Sequence, residues 1–489
     1  MITNNLHHSR RWTILAILAI AQLMVVLDVT IVNIALPSAQ RALHFANSDR
    51  QWIVTAYALA FGSLLLLGGR VSDLLGRKWT FVAGLAGFAT ASAVGGGAQS
   101  FGMLAAARAF QGAFGALLAP AALSLMTTTF TDPHERNKAF GIWGAIAGSG
   151  GAIGLILGGV LTQTLSWRYS MYVNLVFAVI AITGALALLH NQAPAVKPRL
   201  DIPGALTVSA GLFSLVYGFS HAQTTSWGNQ ITIGFLGTGA LLLAVFAVIQ
   251  SRSRNPLLPL RIVTDRNRGA SFSSIGIAGA AVLALLLFLT YYLQQGRGYT
   301  PIQTGVAFLP MAASVMISAM IATNKLRPRF GPRPLVVAGM LLGAGGMLYL
   351  TRLTLDSGYA TGILPALIML GIGFGLVIST SVNSATLGVQ PADAGVASAT
   401  VSAAQQIGGS LGTALLTTIA ASAITSYITS AHTHPNRLLI AHAAVHGDTT
   451  AFAWAAMMFA LGAVIAAALF DRGTRALAVN ASAAPAAAH

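Results

Sequence analysis

The sequence predicts an all-α polytopic membrane protein, and three observations support this fold class. Of its 489 residues, 55% are hydrophobic and only 8% are charged, with a mean hydropathy of +0.73. A soluble protein carries about 25% charged residues. Fourteen apolar runs come close to the ~20 residues that a helix needs to span a bilayer, and basic residues separate them. We expect the spans near residues 12–36, 51–72, 79–98, 101–129, 137–163, 168–190, 203–221, 230–250, 270–295, 303–323, 334–354, 360–383, 395–425 and 450–470.

The distribution of basic residues predicts the orientation of these spans. Of the 27 lysines and arginines, 20 fall between runs on the side of the two termini and 6 on the opposite side. Positive charge favours the cytoplasmic side, so we expect a cell-membrane protein with both termini in the cytoplasm. Because the charges sit in short loops, the net charge of +16 does not indicate a nucleic-acid partner.

A faint internal repeat predicts two halves. The motif beginning at Gly76 recurs at Gly331, 255 residues later, and Gly154 recurs at Gly408, 254 residues later. Parallel repeats of this kind are typical of transporters whose substrate site lies between the halves. We expect six-helix bundles at 12–190 and 266–475, a linker with two extra helices at 191–265, and a disordered tail at 476–489.

Asp28 is the strongest candidate for a functional residue. Among eleven acidic residues it is the one inside a predicted span, where a carboxylate costs roughly 2.5–3.5 kcal/mol. It is expected to bind a proton or a cationic substrate, with a purely structural acid as the alternative. Arg108 lies at a matching depth of ~10 Å against ~12 Å, so the two could pair; alternatively, Arg108 extends to the interface.

Several motifs, taken in order along the chain, resemble those of a known family. They are Leu27-Asp28-Val29-Thr30-Ile31-Val32-Asn33-Ile34-Ala35-Leu36-Pro37, Gly69-x-x-x-Asp73-x-x-Gly76-Arg77-Lys78, Arg108-x-x-Gln111-Gly112, Trp167-Arg168-Tyr169 with Asn174, and Tyr292-Leu293-Gln294-Gln295 followed by Thr300-Pro301 and Leu309-Pro310. Together they resemble the major facilitator superfamily, and within it the fourteen-span drug/proton antiporters. The resemblance implies that fold, with two central helices added to two six-helix bundles.

The resemblance also implies roles for groups of residues. A conformational latch would be formed by the loop residues Gly69, Asp73, Gly76, Arg77 and Lys78. Alternatively, these residues only cap a helix and mark the cytoplasmic side by their positive charge. A further set would face the substrate, although packing against lipid explains its aromatic members equally well: Asn33, Tyr57, Phe61, Gln111, Tyr291, Tyr292 and Gln295.

Glycines in the fifth span are expected to let helices pack closely. They are Gly150, Gly151, Gly154, Gly158 and Gly159. The antiporter motif Gly-Pro-x-x-Gly-Gly here reads Gly154-Leu155-Ile156-Leu157-Gly158-Gly159, without its proline. This departure weakens the argument for export over uptake. Asp49, Asp201 and Asp393 precede predicted helices and are expected to be N-caps.

The sequence therefore predicts a proton-coupled exporter of small lipophilic or cationic compounds, not an enzyme, and a monomer driven by the proton gradient without a cofactor or metal. No Gly-Lys pair exists for a Walker ATP site. One alternative is proton-linked transport of an anionic or neutral metabolite or lipid. Another is a membrane enzyme built on a histidine-containing loop from His432 to Asp448, and a third is a sensor without flux.

Overall fold

The structure, a computed structural model, describes residues 2–47, 49–130, 132–189, 201–253, 256–258, 260–387, 389, 394–431 and 436–471. All regular secondary structure in these residues is helical, as seventeen α-helices and three short π-helical segments. The apolar runs explain this, because inside a bilayer each backbone N–H and C=O must find its partner within the protein, and a helix supplies it locally.

Six long helices form the N-terminal part. They are α1 (Ile2–Leu43), α2 (Arg50–Leu75), α3 (Arg77–Gly96), α4 (Phe101–Thr129), α5 (Pro133–Thr164) and α6 (Tyr169–Leu188). The Ser100 side chain accepts a hydrogen bond from the Met103 amide at 3.3 Å, and Asp132 accepts one from the Glu135 amide at 3.0 Å. Each bond satisfies an amide without a partner in the first turn, so these residues fix where α4 and α5 begin.

A helical hairpin follows, formed by α7 (Ile202–Thr224) and α8 (Gln230–Arg252), and then the short α9 (Leu260–Val263). Asp201 caps α7 as expected, accepting from the Gly204 amide at 2.9 Å and from Gln250 Nε2 at 2.6 Å. It therefore ties the start of α7 to the end of α8. Asp49 occupies the N-cap position of α2, as expected, but makes no side-chain cap hydrogen bond there. Asp393 lies outside the described residues.

Eight helices make up the C-terminal part. They are α10 (Arg266–Tyr291), α11 (Pro301–Ala307), α12 (Leu309–Ile321), α13 (Arg327–Phe330), α14 (Pro332–Leu350), α15 (Leu364–Thr386), α16 (Ala394–Ser430) and α17 (Arg437–Leu469). The π-helical segments Tyr292–Gly296 and Ala322–Leu326 continue α10 and α12, and Tyr359–Ile363 leads into α15.

Twelve helical segments of the described chain are long and apolar enough to cross a membrane. The two expected spans outside this set are α2, with 26 residues, and α5, with 32. Part of α5 forms a shorter apolar stretch, Ile153–Thr164. The chain is therefore an all-α integral membrane protein.

The long helices pack as two groups. Helices α1 to α6 contact one another, and so do α10, α12 and α14 to α17. The α7–α8 hairpin contacts α2 of the first group and α16 of the second. Leu59, Val208, Leu212 and Phe246 share one buried cluster with Ala414. The hairpin therefore lies beside the α2–α16 seam.

The two groups meet at the end of the bundle that holds residues 44–49 and 297–300. We call it the distal end, because α1 begins and α17 ends at the opposite, terminal end. Gln294 Nε2 donates to the Ile34 carbonyl at 3.0 Å, and the Ile302 amide donates to Gln163 Oε1 at 3.3 Å. These bonds join the first group to the second near the distal end.

One predicted boundary was wrong. The first apolar span begins at Arg10, close to the expected residue 12, although α1 itself begins at Ile2. The last span begins with α17 at Arg437 and not near residue 450. The Asn436 side chain accepts from the Leu439 amide at 2.7 Å and starts α17 early. Alanine and leucine favour the helix in the residues that follow. The expected loop to Asp448 is therefore helical from Arg437 onward, and the tail 476–489 lies outside the described residues.

Candidate functional site

Asp28 and Arg108 form a buried ion pair inside the first helix group. Asp28 lies within α1 and is 0% exposed, and Arg108 lies within α4 and is 2% exposed. Arg108 Nη1 donates to Asp28 Oδ2 at 2.5 Å. The two residues with matching depths are therefore in contact, and each charge compensates the other in a buried site.

Amide and hydroxyl side chains complete a network around this pair. Asn174 Nδ2 on α6 donates to Asp28 Oδ1 at 2.7 Å, and Gln111 Nε2 on α4 donates to the same oxygen at 3.0 Å. Gln111 Oε1 in turn accepts from Arg108 Nη1 at 2.8 Å. Ser92 Oγ on α3 accepts from both amides. Donors from α4 and α6 thus satisfy both oxygens of the Asp28 carboxylate, and Ser92 of α3 accepts from the two amides that bind it.

Tyr57 on α2 covers the Arg108 guanidinium. The Arg108 Cζ atom lies 4.4 Å from the Tyr57 ring centroid, and Arg108 Nε donates to the Ile53 carbonyl at 3.1 Å. The Tyr57 hydroxyl is buried and contacts no hydrogen-bond partner among the described residues. Phe88 meets Tyr57 edge-on at 6.5 Å. Tyr57 and Phe88 therefore bury the guanidinium side of the ion pair, and the Tyr57 hydroxyl is left without a partner among the described residues.

In this arrangement each charge of the pair depends on the other for compensation. Protonation would leave Arg108 as an unpaired buried cation, which is strongly destabilising. A proton therefore favours any rearrangement that gives Arg108 water or another partner. A cationic substrate would have to displace Arg108 before it could reach Asp28. Among the described residues, no three His, Asp or Glu side chains converge as a metal site would require.

The residues expected to face substrate lie in three places. Asn33, Tyr57, Phe61 and Gln111 are buried in the first group, and Asn33 Nδ2 donates to the Val29 carbonyl. The others lie in or near the second group. Tyr291 is buried at the contact between the groups, Tyr292 donates to the Thr354 carbonyl at 2.6 Å, and Gln295 is exposed. The structure does not bring these seven residues together around one space.

The expected latch residues lie where α2 gives way to α3. Gly76 joins the two helices with a φ of 90°, a conformation that favours glycine. Lys78 Nζ donates to the Leu189 carbonyl at 2.6 Å and to the Leu186 carbonyl at 3.1 Å. Lys78 therefore holds the end of α6 against α3, within the first group.

The other latch residues show fewer contacts. Arg77 opens α3 and is half-buried, whereas Gly69 lies in α2, where an added Cβ would be 3.8 Å from the Pro120 side chain. The side chain of Asp73 lies outside the described part of the structure.

Glycines of α5 let it approach neighbouring helices. A Cβ on Gly154 would lie 2.0 Å from Thr30 Oγ1, and one on Gly158 would lie 2.9 Å from the Ile31 side chain. Gly150 faces α1 in the same way, through Val26 and Leu23. A Cβ on Gly159 would instead meet the backbone of Pro301 and Ile302, at 2.8 Å, in the second group.

Comparison with known proteins identifies the family. The profile described as Major Facilitator Superfamily matches residues 18–413. The chain belongs to the Major Facilitator Superfamily. It is a membrane transporter and not an enzyme, so the histidine-based enzyme alternative is excluded.

Several curated relatives in the superfamily are named for antibiotic resistance or export. The chain is 45% identical over 469 residues to the puromycin resistance protein pur8 of Streptomyces alboniger, covering 96% of this chain and 93% of that protein. It is 38% identical over 413 residues to the cephamycin export protein CmcT of Amycolatopsis lactamdurans, covering 84% and 85%. The lincomycin resistance protein of Streptomyces lincolnensis is 32% identical over 411 residues, with 84% of each chain covered.

Solved structures show the same superfamily fold. A bacterial homologue of the human lysosomal transporter Spinster, inward-facing and unoccupied, aligns with a TM-score of 0.63 at 16% identity, covering 93% of this chain and 96% of that one. The nucleoside transporter NupG aligns with a TM-score of 0.62 at 12% identity, covering 94% and 99%. At these identities the similarity concerns the fold alone.

One buried acid in this superfamily member was missed by sequence reasoning. Asp448 was assigned to a loop, but it lies inside α17 and is 7% exposed. The expectation of a single membrane acid was therefore wrong. Extending the last apolar run back to the Asn436 cap would have placed Asp448 within a helix.

Proposed function

We propose that the chain is a proton-coupled exporter of small lipophilic or cationic antibiotics. The observation that carries this proposal is the buried ion pair of Asp28 and Arg108 with its Gln111 and Asn174 partners. Such a pair can exist in two states. In one Asp28 is ionised and the pair is closed, and in the other Asp28 is protonated and the surrounding helices are rearranged. Coupling would follow because a proton that neutralises Asp28 releases Arg108 from the ion pair. The helices around Arg108 would then favour the rearranged state.

In the proposed cycle the two helix groups rock about a central substrate site, which opens alternately to each side. The bonds at the distal end, between Gln294 and Ile34 and between Ile302 and Gln163, would break in the outward-open state. Asp73, Gly76 and Arg77 would control cycling more than affinity. Gly159, which has no Cβ, would allow the two groups to approach closely at Pro301 and Ile302.

For topology we propose fourteen spans, adding α2 and α5 to the twelve apolar ones, with both termini in the cytoplasm of the cell membrane. The domains would be bundles at 12–190 and 266–475 around a linker at 191–265. The protein would act as a monomer. The alternation of helices and the excess of basic residues on the terminal side support this arrangement.

Puromycin is the first substrate to test, because the protein 45% identical to this chain is named for puromycin resistance. A second candidate is a neutral or anionic compound. It is favoured by the complete pairing of Asp28, whose two oxygens already accept from Arg108, Gln111 and Asn174. In that case Asp28 would carry only the proton.

The experiment is antibiotic resistance in a sensitive bacterium that expresses the chain. Wild-type protein should raise resistance to puromycin, and Asp28→Asn should abolish the gain at equal membrane expression. Asp356→Asn is the matched control, because this exposed loop acid undergoes the same chemical change. Cells with wild-type protein should also accumulate less drug. Resistance that persists in Asp28→Asn would contradict the coupling role, and no change in accumulation would favour a sensor.

A further inference from the structure

Asp448 is a second buried carboxylate, far along the chain from Asp28 and in the other helix group. On α17, Phe452 lies one turn beyond it and meets Phe288 of α10 edge-on, with ring centroids 6.1 Å apart. The two helices run in opposite directions, so one turn toward the distal end Asp448 lies opposite Tyr292. Asp448 and Tyr292 also interact electrostatically. The carboxylate therefore faces the α10 side of its group near the distal end.

A cation from the first helix group approaches the same place. Arg50 opens α2, and its Cζ atom lies 4.3 Å from the Tyr291 ring centroid. Tyr291 is 3% exposed, and its hydroxyl has no hydrogen-bond partner among the described residues. Tyr291 directly precedes Tyr292, the residue opposite Asp448, so the Arg50 guanidinium and the Asp448 side chain lie at neighbouring residues of the same segment. The contact with Tyr291 thus places the Arg50 guanidinium of the first group against the second group, on the side of Asp448.

The other titratable groups around α17 face elsewhere. His446 lies on another face, with its ring centroid 5.0 Å from that of Tyr427 on α16, and His442 is exposed. Tyr349 of α14 donates to the Thr361 carbonyl, and Tyr292 donates to the Thr354 carbonyl. Arg297 lies near the Tyr292 hydroxyl, and its Nη1 donates to the Leu355 carbonyl at 2.6 Å. Arg50 is therefore the cation that the first helix group brings toward Asp448.

We infer that Asp448 is a second proton-binding site, and that its ionised form attracts Arg50 across the distal end and holds that end closed. Opposite charges attract while Asp448 is ionised, and protonation abolishes the attraction. Acidic solution therefore loosens the distal end, and neutral solution tightens it. The effect of this opening on transport rests on the alternating access proposed above. The attraction between Asp448 and Arg50 does not depend on that proposal.

The chain contains no cysteine, so a cysteine pair can report closure directly. Gln163→Cys with Ile302→Cys places thiols at positions that touch in the closed distal end, where Ile302 N lies 3.3 Å from Gln163 Oε1. The cross-linked fraction of purified protein in lipid nanodiscs then measures the ratio of closed to open molecules. This readout needs no substrate.

In this background Asp448→Asn and Arg50→Gln should each lower the ratio of closed to open about two- to five-fold, the range for partly exposed ion pairs. The double variant should show no further loss. Acidification should lower the ratio in the parent and have little effect in Asp448→Asn. Asp448→Glu should keep the pH response, which separates a charge effect from misfolding. Asp356→Asn should match the parent, because its carboxylate is exposed in a loop.

Additive losses in the double variant would overturn the inference, since independent sites add. So would an unchanged cross-linked fraction in Asp448→Asn, or an equal loss in Asp356→Asn. Failure here leaves the proposed function separately testable, because resistance and its dependence on Asp28 do not enter the cross-linking measurement.

Discussion

Neutralising one member of the Asp28–Arg108 pair should destabilise the protein far more than neutralising both. Arg108→Gln removes the cation bound to Asp28 Oδ2 and leaves Gln111 and Asn174 as the remaining donors to the carboxylate. An unpaired charge in a site that is 0% exposed costs about 3–5 kcal/mol. Asp28→Asn leaves Arg108 uncompensated, with a loss of similar size. The double variant carries no unpaired charge and should recover much of each loss.

The assay is thermal unfolding of purified protein in detergent, at neutral and at acidic pH. The Arg108→Gln deficit should shrink in acid, because protonation removes the unpaired charge of Asp28. The Asp28→Asn deficit should persist, because arginine stays charged throughout. Losses that simply add in the double variant would refute the coupling of the pair. A deficit in Arg108→Gln that grows in acid would refute the assignment of the charge to Asp28.

Other predictions follow from contacts elsewhere in the molecule. Gly154→Ala should separate α1 from α5 and lower thermal stability, since its Cβ would lie 2.0 Å from a threonine oxygen of α1; Gly151→Ala, with 4.0 Å to the nearest atom, should be tolerated. Lys78→Gln should lose about 0.3–1 kcal/mol of unfolding free energy by removing a cation from the α6 C-terminus, and an arginine there should restore it. An impermeant thiol reagent added to intact cells should label Ser226→Cys and miss Ser251→Cys, at opposite ends of α8; the reverse labelling would invert the topology.

Hydrophobicity and charge singled out the two members of the central ion pair and located most of the helices. A single acid in the first apolar run and a single arginine in the fourth stand out against apolar neighbours, and both lie at similar depth. Two opposite charges buried in one helix group are favoured to pair, because either charge alone would be uncompensated. The sequence therefore indicated that Asp28 and Arg108 could pair if their helices face one another, and the structure shows the pair.

The remaining details depended on tertiary packing. Ser92 is an ordinary small polar residue in the sequence, and its role as acceptor for both Gln111 and Asn174 exists only once α3, α4 and α6 are assembled. Gln295 follows Gln294 in one motif, yet only Gln294 bonds to the first group. Asp448 was placed in a loop because the most apolar stretch of α17 begins after it. A helix cap at Asn436 was the available signal.

The most direct test of the central claim is proton movement coupled to antibiotic movement in proteoliposomes. With purified wild-type protein, an imposed pH gradient should drive puromycin toward the acidic compartment while protons move the opposite way, as exchange requires. Collapsing the gradient with a protonophore should stop accumulation, and Asp28→Asn should show no gradient-driven accumulation. Accumulation that survives the protonophore, or that persists in Asp28→Asn, would contradict the account.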